Sequence, residues 1–334
     1  MRSIDRRANL RPLTSSEVLD IGAHIYRRIA LTVLPRTFAP SMLCAAAIAF
    51  STTFIQTNLF RTTTGSSSAA QFAEAAIAVM LTILVGGPLF IVGVANATGP
   101  VIKLASDCML GNEPNIKEAD KAGATKVSSL TWVMFGVVLR TLWAPLGGLL
   151  LLAFSVFADT LPGWINLFGA LPAVLGLFAL AVSLLIVPFV IHKTALAPVL
   201  SVLEGITGKD AIKRASWLMA PDKTLTSTAG TTFSFLLLAG VLYLSISLGV
   251  SLVFNFLSLG QVLTTLSPGP WAHALITGLV KAFPYWLALW VILPFWGSVI
   301  TTLYYDRRVR LEGFDIQVLS EDITHADRQT ALLN

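Results

Sequence analysis

Long stretches of this chain contain no Asp, Glu, Lys or Arg. They cover residues 37–60, 75–102, 160–191, 224–280 and 282–305, and a further region, 127–158, is interrupted only by Arg140. A helix needs about 20 apolar residues to cross the roughly 30 Å hydrocarbon core of a bilayer. The run from 224 passes into the turn-rich Ser267-Pro268-Gly269-Pro270, so it holds one span rather than two. The pattern predicts an all-α integral membrane protein with six transmembrane helices, near residues 38–60, 76–101, 129–157, 167–191, 229–257 and 280–304.

A shorter periodicity precedes some of these runs. Thr14-Ser15-Ser16-Glu17 has the spacing of a capping box, in which hydroxyl and carboxylate each satisfy an orphan amide of a helix start. Behind it, Val18, Leu19, Ile21, Gly22, Ile25, Tyr26 and Ile29 fall on one side of a helical wheel, opposite Asp20, His24, Arg27 and Arg28. Ala211, Ile212, Ala215, Leu218 and Met219 form a second apolar stripe, opposite Lys213 and Ser216, and residues 115–122 are a third candidate. Such helices suit the headgroup boundary, apolar face down and Arg toward anionic lipid. The chain is therefore expected to read as three units, each an interfacial amphipathic helix followed by a transmembrane hairpin. The expected divisions are an N-terminal cytoplasmic segment (1–36), a six-span domain (37–305) and a cytoplasmic tail (306–334).

Composition agrees with lipid as the solvent: 55% of residues are hydrophobic and 12% charged, where soluble domains carry about 25% charged residues. The 23 Lys and Arg against 18 Asp and Glu fix orientation, because short cytoplasmic loops collect the basic residues. Seven precede the first span (Arg2, Arg6, Arg7, Arg11, Arg27, Arg28, Arg36), and four occupy the second loop (Lys103, Lys117, Lys121, Lys126). The fourth loop holds five (Lys193, Lys209, Lys213, Arg214, Lys223) and the tail four (Arg307, Arg308, Arg310, Arg328). Both termini are expected in the cytoplasm. The basic residues are not interleaved with aromatics as on a nucleic-acid-binding face, so the expected partners are membrane lipids with anionic headgroups and a protein of unknown identity, not nucleic acid. Trp164, Trp271, Tyr304 and Tyr305 stand where amphipathic rings prefer the interface. The long basic region before the first run does not fit a signal peptide. Cys44 and Cys108 have neither disulfide nor metal-ligand spacing and read as structural.

Two stretches carry a resemblance. One is Leu10-Arg11-Pro12-Leu13, Glu17-Val18-Leu19-Asp20 and Tyr26-Arg27-Arg28; the other runs from Leu303 to Asp315, through Tyr304-Tyr305-Asp306 and Glu312-Gly313-Phe314-Asp315. Together they resemble the bacterial membrane proteins named for the membrane domain of glycerophosphoryl diester phosphodiesterase, with departures at Arg307 and Leu311. The resemblance implies a polytopic inner-membrane protein. It does not imply the phosphodiesterase, whose catalytic barrel of about 250 residues has no room in the nineteen residues after Asp315. On physical grounds Arg307, Arg308 and Arg310 are expected to meet lipid phosphates and helix-end carbonyls, as are Arg27 and Arg28 at the headgroups. Asp306 and Glu312 are expected to pair with this cluster or with Arg27 and Arg28, making a structural latch.

Candidate chemistry is sparse. His24, His192, His273 and His325 are scattered, and no HExxH, GxSxG or Walker A motif occurs. No carboxylate falls inside an expected span, so neither a catalytic residue, a metal site nor a cofactor is assigned. An intramembrane charge marks a functional site by default, and Arg140, beside Pro145 and Gly147-Gly148, has two readings: a ligand for an anionic headgroup or substrate, or a side chain snorkelling to the surface. Lys281 has the same two readings at the opposite interface. Prolines at 88, 145, 172, 188 and 294 either frame a transporter's site or are the ordinary prolines of transmembrane helices. The expected function is a non-enzymatic scaffold or partner subunit in envelope or lipid homeostasis. The alternative is a transporter or lipid-handling protein with a cavity bounded by proline-broken helices and Arg140.

Overall fold

The computed structural model describes residues 11–59, 86–158, 166–220, 225–258, 265, 270–318 and 320, with no strand among them. The helices are α1 (Ser15–Leu59), α2 (Gly87–Met109), α3 (Ile116–Ala158), α4 (Asn166–Thr194), α5 (Ala197–Leu203), α6 (Gly208–Leu218), α7 (Leu225–Phe256) and α8 (Pro270–Glu312). Six of them, all but α5 and α6, are long and apolar enough to cross a bilayer. The chain is a multi-pass membrane protein. Residues 76–85, the expected start of the second span, and Trp164 lie outside the described residues, as does the side chain of Trp271.

Helices α1, α2 and α8 form the tightest group, with α1 against α8 the most extensive pairing in the fold. Lipid offers apolar helices no hydrophobic drive to associate, so such packing relies on close backbone approach at small residues. Gly93 supplies it between α2 and α1: a Cβ there would lie 2.5 Å from Cys44 Sγ and 2.8 Å from the Pro40 carbonyl oxygen. Pro35 and Pro40 lie inside α1, and two indoles of α8 donate into the same stretch. Trp290 Nε1 donates to the Leu34 carbonyl at 2.6 Å and Trp286 Nε1 to the Phe38 carbonyl at 3.4 Å.

Helices α3 and α4 form a hairpin along a second glycine contact. A Cβ on Gly176 would lie 2.9 Å from the Gly148 carbonyl oxygen, and one on Gly148 3.0 Å from that of Gly176. Away from this seam α4 presents Leu177, Phe178, Leu184 and Leu185 outward, and α7 has no buried residue from Leu236 to Val253. These faces need no protein partner when lipid tails surround them.

The densest core sits at the basic end of the bundle, where α1 starts and α8 finishes. Leu104 and Cys108 of α2, Leu130 of α3, Leu200 of α5, Ala215 and Leu218 of α6 are each 0% exposed there. This core corrects the expected placement of the amphipathic segments. The first is not a separate surface helix but the opening turns of α1, and its Val18, Ile25 and Ile29 lie buried against protein rather than headgroups. The 115–122 segment is likewise the start of α3, with Asn115 Oδ1 accepting from the Lys117 and Glu118 amides at 3.2 and 3.4 Å. Only α6 stands apart, and its stripe of Ala211, Ile212, Ala215 and Leu218 is also buried in the core. Lipid and protein both remove an apolar face from water; a neighbouring protein core was within reach of all three.

The capping box forms as its spacing predicts. The Thr14 amide donates to Glu17 Oε2 at 2.7 Å, and the Glu17 amide to Thr14 Oγ1 at 3.4 Å. Four of the five prolines lie inside continuous helices: α3 runs on through Pro145, α4 through Pro172 and Pro188, and α8 through Pro294.

Candidate functional site

Two features stand out: a polar clasp at the basic end and an apolar recess above it. The clasp is built by the last turns of α8, which extend past the apolar span and remain wrapped in protein. Almost every side chain there reaches a different element. Tyr304 donates to Glu204 Oε1 at 2.8 Å, and Tyr305 shares a hydrogen bond with Ser106 of α2 at 2.7 Å. The two tyrosines are only 1% and 4% exposed, so they are core anchors and not the interfacial belt expected of them. The cause is the same basic-end core, which encloses α8 where bare lipid interface was expected.

Asp306 and Arg310 hold the chain just before α1 by its backbone. The Leu13 amide donates to Asp306 Oδ1 at 2.7 Å, Arg310 Nε donates to the same carboxylate at 2.9 and 3.1 Å, and Arg310 Nη2 donates to the Leu13 carbonyl. Arg308 donates to Glu312 at 2.8 Å and lies 4.2 Å from the centre of the Phe314 ring. Glu312 also receives Arg214 of α6, whose Nε lies 3.4 Å from Glu204. Asp306 and Glu312 thus pair within their own block and with Arg214; Arg27 and Arg28 are not their partners.

Arg307 departs furthest from expectation. It is 2% exposed, not turned to lipid phosphate, and donates to the carbonyls of Leu218 at 2.6 Å and Ala220 at 3.2 Å. Leu218 ends α6 and Ala220 lies in the turn just past it; a helix terminus buried in protein needs donors for its orphan carbonyls, and a guanidinium also complements the negative end of the helix dipole. The expected contact with helix-end carbonyls is made, and it consumes the side chain. Arg27 is exposed one turn before Leu31, which is 90% exposed, while Arg28 is half-buried.

Removing Asp306 should free the chain ahead of α1. In Asp306→Ala the buried Leu13 amide and the Arg310 guanidinium lose their shared acceptor, at a cost of about 2 kcal/mol. Proteinase K cleavage after Leu13 should accelerate at least tenfold, whereas Asp306→Asn, which keeps an acceptor for Leu13, should lie between. Equal cleavage rates in wild type and Asp306→Ala would contradict the clasp.

The recess, of about 140 Å³, is lined by Phe90, Ile91 and Val94 of α2, Met134, Val137 and Val138 of α3, Ile191 and Thr194 of α4, Ala195, Pro198 of α5 and Trp296 of α8. The Thr194 hydroxyl donates to the Val190 carbonyl at 2.7 Å, so the recess presents no free polar group. Cavities of this size lined by apolar side chains stay dry and accept groups about as large as benzene. Arg140 is exposed on α3 and is not in this lining. Lys281 belongs to α8, but its side chain lies outside the described residues. Arg140 is brought to neither the clasp nor the recess.

Glu204, Arg214 and Ser106 are parts of the clasp that no motif singles out, and Leu13 stands in a stretch marked only by the resemblance. Asp107 is likewise marked by no motif, and it is 5% exposed at the end of α2. Its Oδ1 accepts from Lys103 at 2.8 Å while Oδ2 is buried without a hydrogen bond. A local signal existed for the Lys103–Asp107 pair in its spacing of four residues; the others are joined only by tertiary structure. Among the described residues no three of His, Cys, Asp and Glu gather to hold a metal. Comparison of the chain with protein-family models, with curated proteins and with solved structures finds no match.

Proposed function

We propose that this chain is a non-enzymatic scaffold or partner subunit of the bacterial inner membrane, serving envelope or lipid homeostasis with its basic end and both termini in the cytoplasm. The observation that carries the reading is how the charged groups of the last helix are used. Asp306, Arg307, Arg308, Arg310 and Glu312 are spent on joining α8 to α6 and to the start of α1, which favours a fixed platform over a polar path for solutes. Arg27, exposed beside the lipid-facing Leu31, is the group best placed for anionic headgroups, which favour basic side chains at a cytoplasmic surface by about 1 kcal/mol each.

The alternative with Arg140 as a cavity wall is disfavoured by the exposure of that residue and its absence from the recess. The test compares wild type with Arg27→Glu/Arg28→Glu, purified in lipid nanodiscs. The double variant should retain its melting temperature within a few degrees, bind at least fivefold less phosphatidylglycerol by native mass spectrometry and recover less of any co-purifying membrane protein. Vesicles containing wild type should pass solutes no faster than empty ones. Protein-dependent flux that Arg140→Leu abolishes would overturn the scaffold reading in favour of a transporter.

A further inference from the structure

We infer that the recess between α2, α3, α4 and α8 is a binding site for an acyl chain of a bilayer phospholipid, which enters sideways from the membrane. Four observations converge on that occupant. The lining is apolar on every wall, from Phe90 and Val94 to Val138 and Trp296, and its one hydroxyl, Thr194, is turned back to its own helix. A headgroup or polar solute placed there would forfeit its hydrogen bonds with no replacement. Only hydrocarbon enters without that cost.

Size sets the second limit. About 140 Å³ is close to the roughly 150 Å³ cavity that holds a benzene-sized group, so the site takes a segment of chain and not a whole lipid. The third observation is position. Every wall of the recess except Ala195 and Pro198 comes from the helices that cross the bilayer, and Pro198, at the buried start of α5, closes its foot toward the basic end. Hydrocarbon is the medium that meets an opening at this depth.

The fourth is access. Helix α4 packs along α3 and has no extended seam with α2 or α8; it meets α7 near its last turns, where His192 Nδ1 and Thr232 Oγ1 are 3.0 Å apart. Helix α7 packs along α8 and touches α4 only there, so beyond that contact the flank of the recess between α4 and α8 is closed by no extended helix seam. The site is independent of the scaffold reading, because a platform and a transporter are equally able to hold a structural lipid.

The test uses the full chain in phosphatidylethanolamine–phosphatidylglycerol nanodiscs doped with a phosphatidylcholine carrying a diazirine at the end of one acyl chain. After irradiation, labelled residues are located by peptide mass spectrometry, beside a matched probe with the diazirine on the headgroup. The tail probe should label Met134, Val138 or Trp296 at least fivefold more than the headgroup probe does. Filling the recess with Val94→Trp, or more gently with Val138→Phe, should reduce that labelling at least fivefold while labelling of the outward Leu184 and Leu185 is retained. The retained outer labelling reports a folded hairpin. Recess labelling no greater than that from the headgroup probe in wild type overturns the site, whether the recess is empty or covered by a second copy. Labelling unchanged in both filling variants overturns it equally.

Discussion

Replacement of Arg307 by methionine is expected to be the most damaging single change at the basic end. The guanidinium is buried and serves the carbonyls of Leu218 and Ala220 at 2.6 and 3.2 Å. Hydrogen bonds from a charged donor contribute about 1.5–3 kcal/mol each, and buried carbonyls left without a donor carry their full desolvation cost. A loss of about 3 kcal/mol or more follows, which is a large share of the stability of an ordinary domain. Methionine preserves apolar bulk, so the loss reports the donors and not a cavity. Arg307→Lys should recover part of it, since an ammonium reaches one carbonyl but lacks the planar fork that spans two. The measurement is the melting temperature in a mild detergent, with the ladder wild type, Lys, Met. A methionine variant as stable as wild type would mean that α6 ends without need of this cap.

The second large effect is expected at Gly93→Ala. One added carbon would sit 2.5 Å from Cys44 Sγ and 2.8 Å from the Pro40 carbonyl oxygen. A thiol can be displaced, but a backbone oxygen moves only if α1 and α2 separate. Overpacking of this kind costs about 1–3 kcal/mol even where side chains absorb it, and here the obstruction is main chain, so the upper part of that range applies. Adding Cys44→Gly should return part of the loss by removing the first obstruction while the second remains. Such non-additivity is what contacting residues give in a double-mutant cycle. Full additivity of the two losses would show that Gly93 and Cys44 do not meet.

The contrast between these two sites explains what the amino-acid pattern conveys. Runs without charge locate the spans because burying a charge in hydrocarbon is costly, and Thr14 to Glu17 locates a helix start because its two partners are three residues apart. The block from Tyr304 to Glu312 is legible as a unit for the same reason: its internal pairs, Asp306 with Arg310 and Arg308 with Glu312, are one turn apart. Its external partners are not legible. Leu13 is 293 residues from Asp306, and Leu218 is 89 from Arg307; nothing local in the chain records that they meet. An amphipathic stripe such as Val18, Ile25 and Ile29 states that a face is to be covered, and it is silent on whether lipid or protein covers it. Arg307 misleads in the same way, since its residue type suggests solvent or phosphate, and only a buried helix end nearby gives it another use. The apolar recess is invisible to pattern altogether, because Val94 and Val138 facing a void look the same as Val facing a neighbour.

The pairing of the first long helix with the last has a consequence for biosynthesis. Phe38 packs its ring against Trp286 and Trp290, and Leu13 is held by Asp306 and Arg310. All four partners are made 248 to 297 residues after the groups they meet. At about 5–20 residues per second, the ribosome needs on the order of tens of seconds to travel from α1 to the close of α8. Through that interval the opening turns of α1 lack the partners that α8 supplies to the Leu13 backbone. The nascent chain must wait with an unfinished amphipathic leader, and lipid headgroups or a holding factor at the membrane surface are the natural places for it to rest until the last helix arrives to claim it.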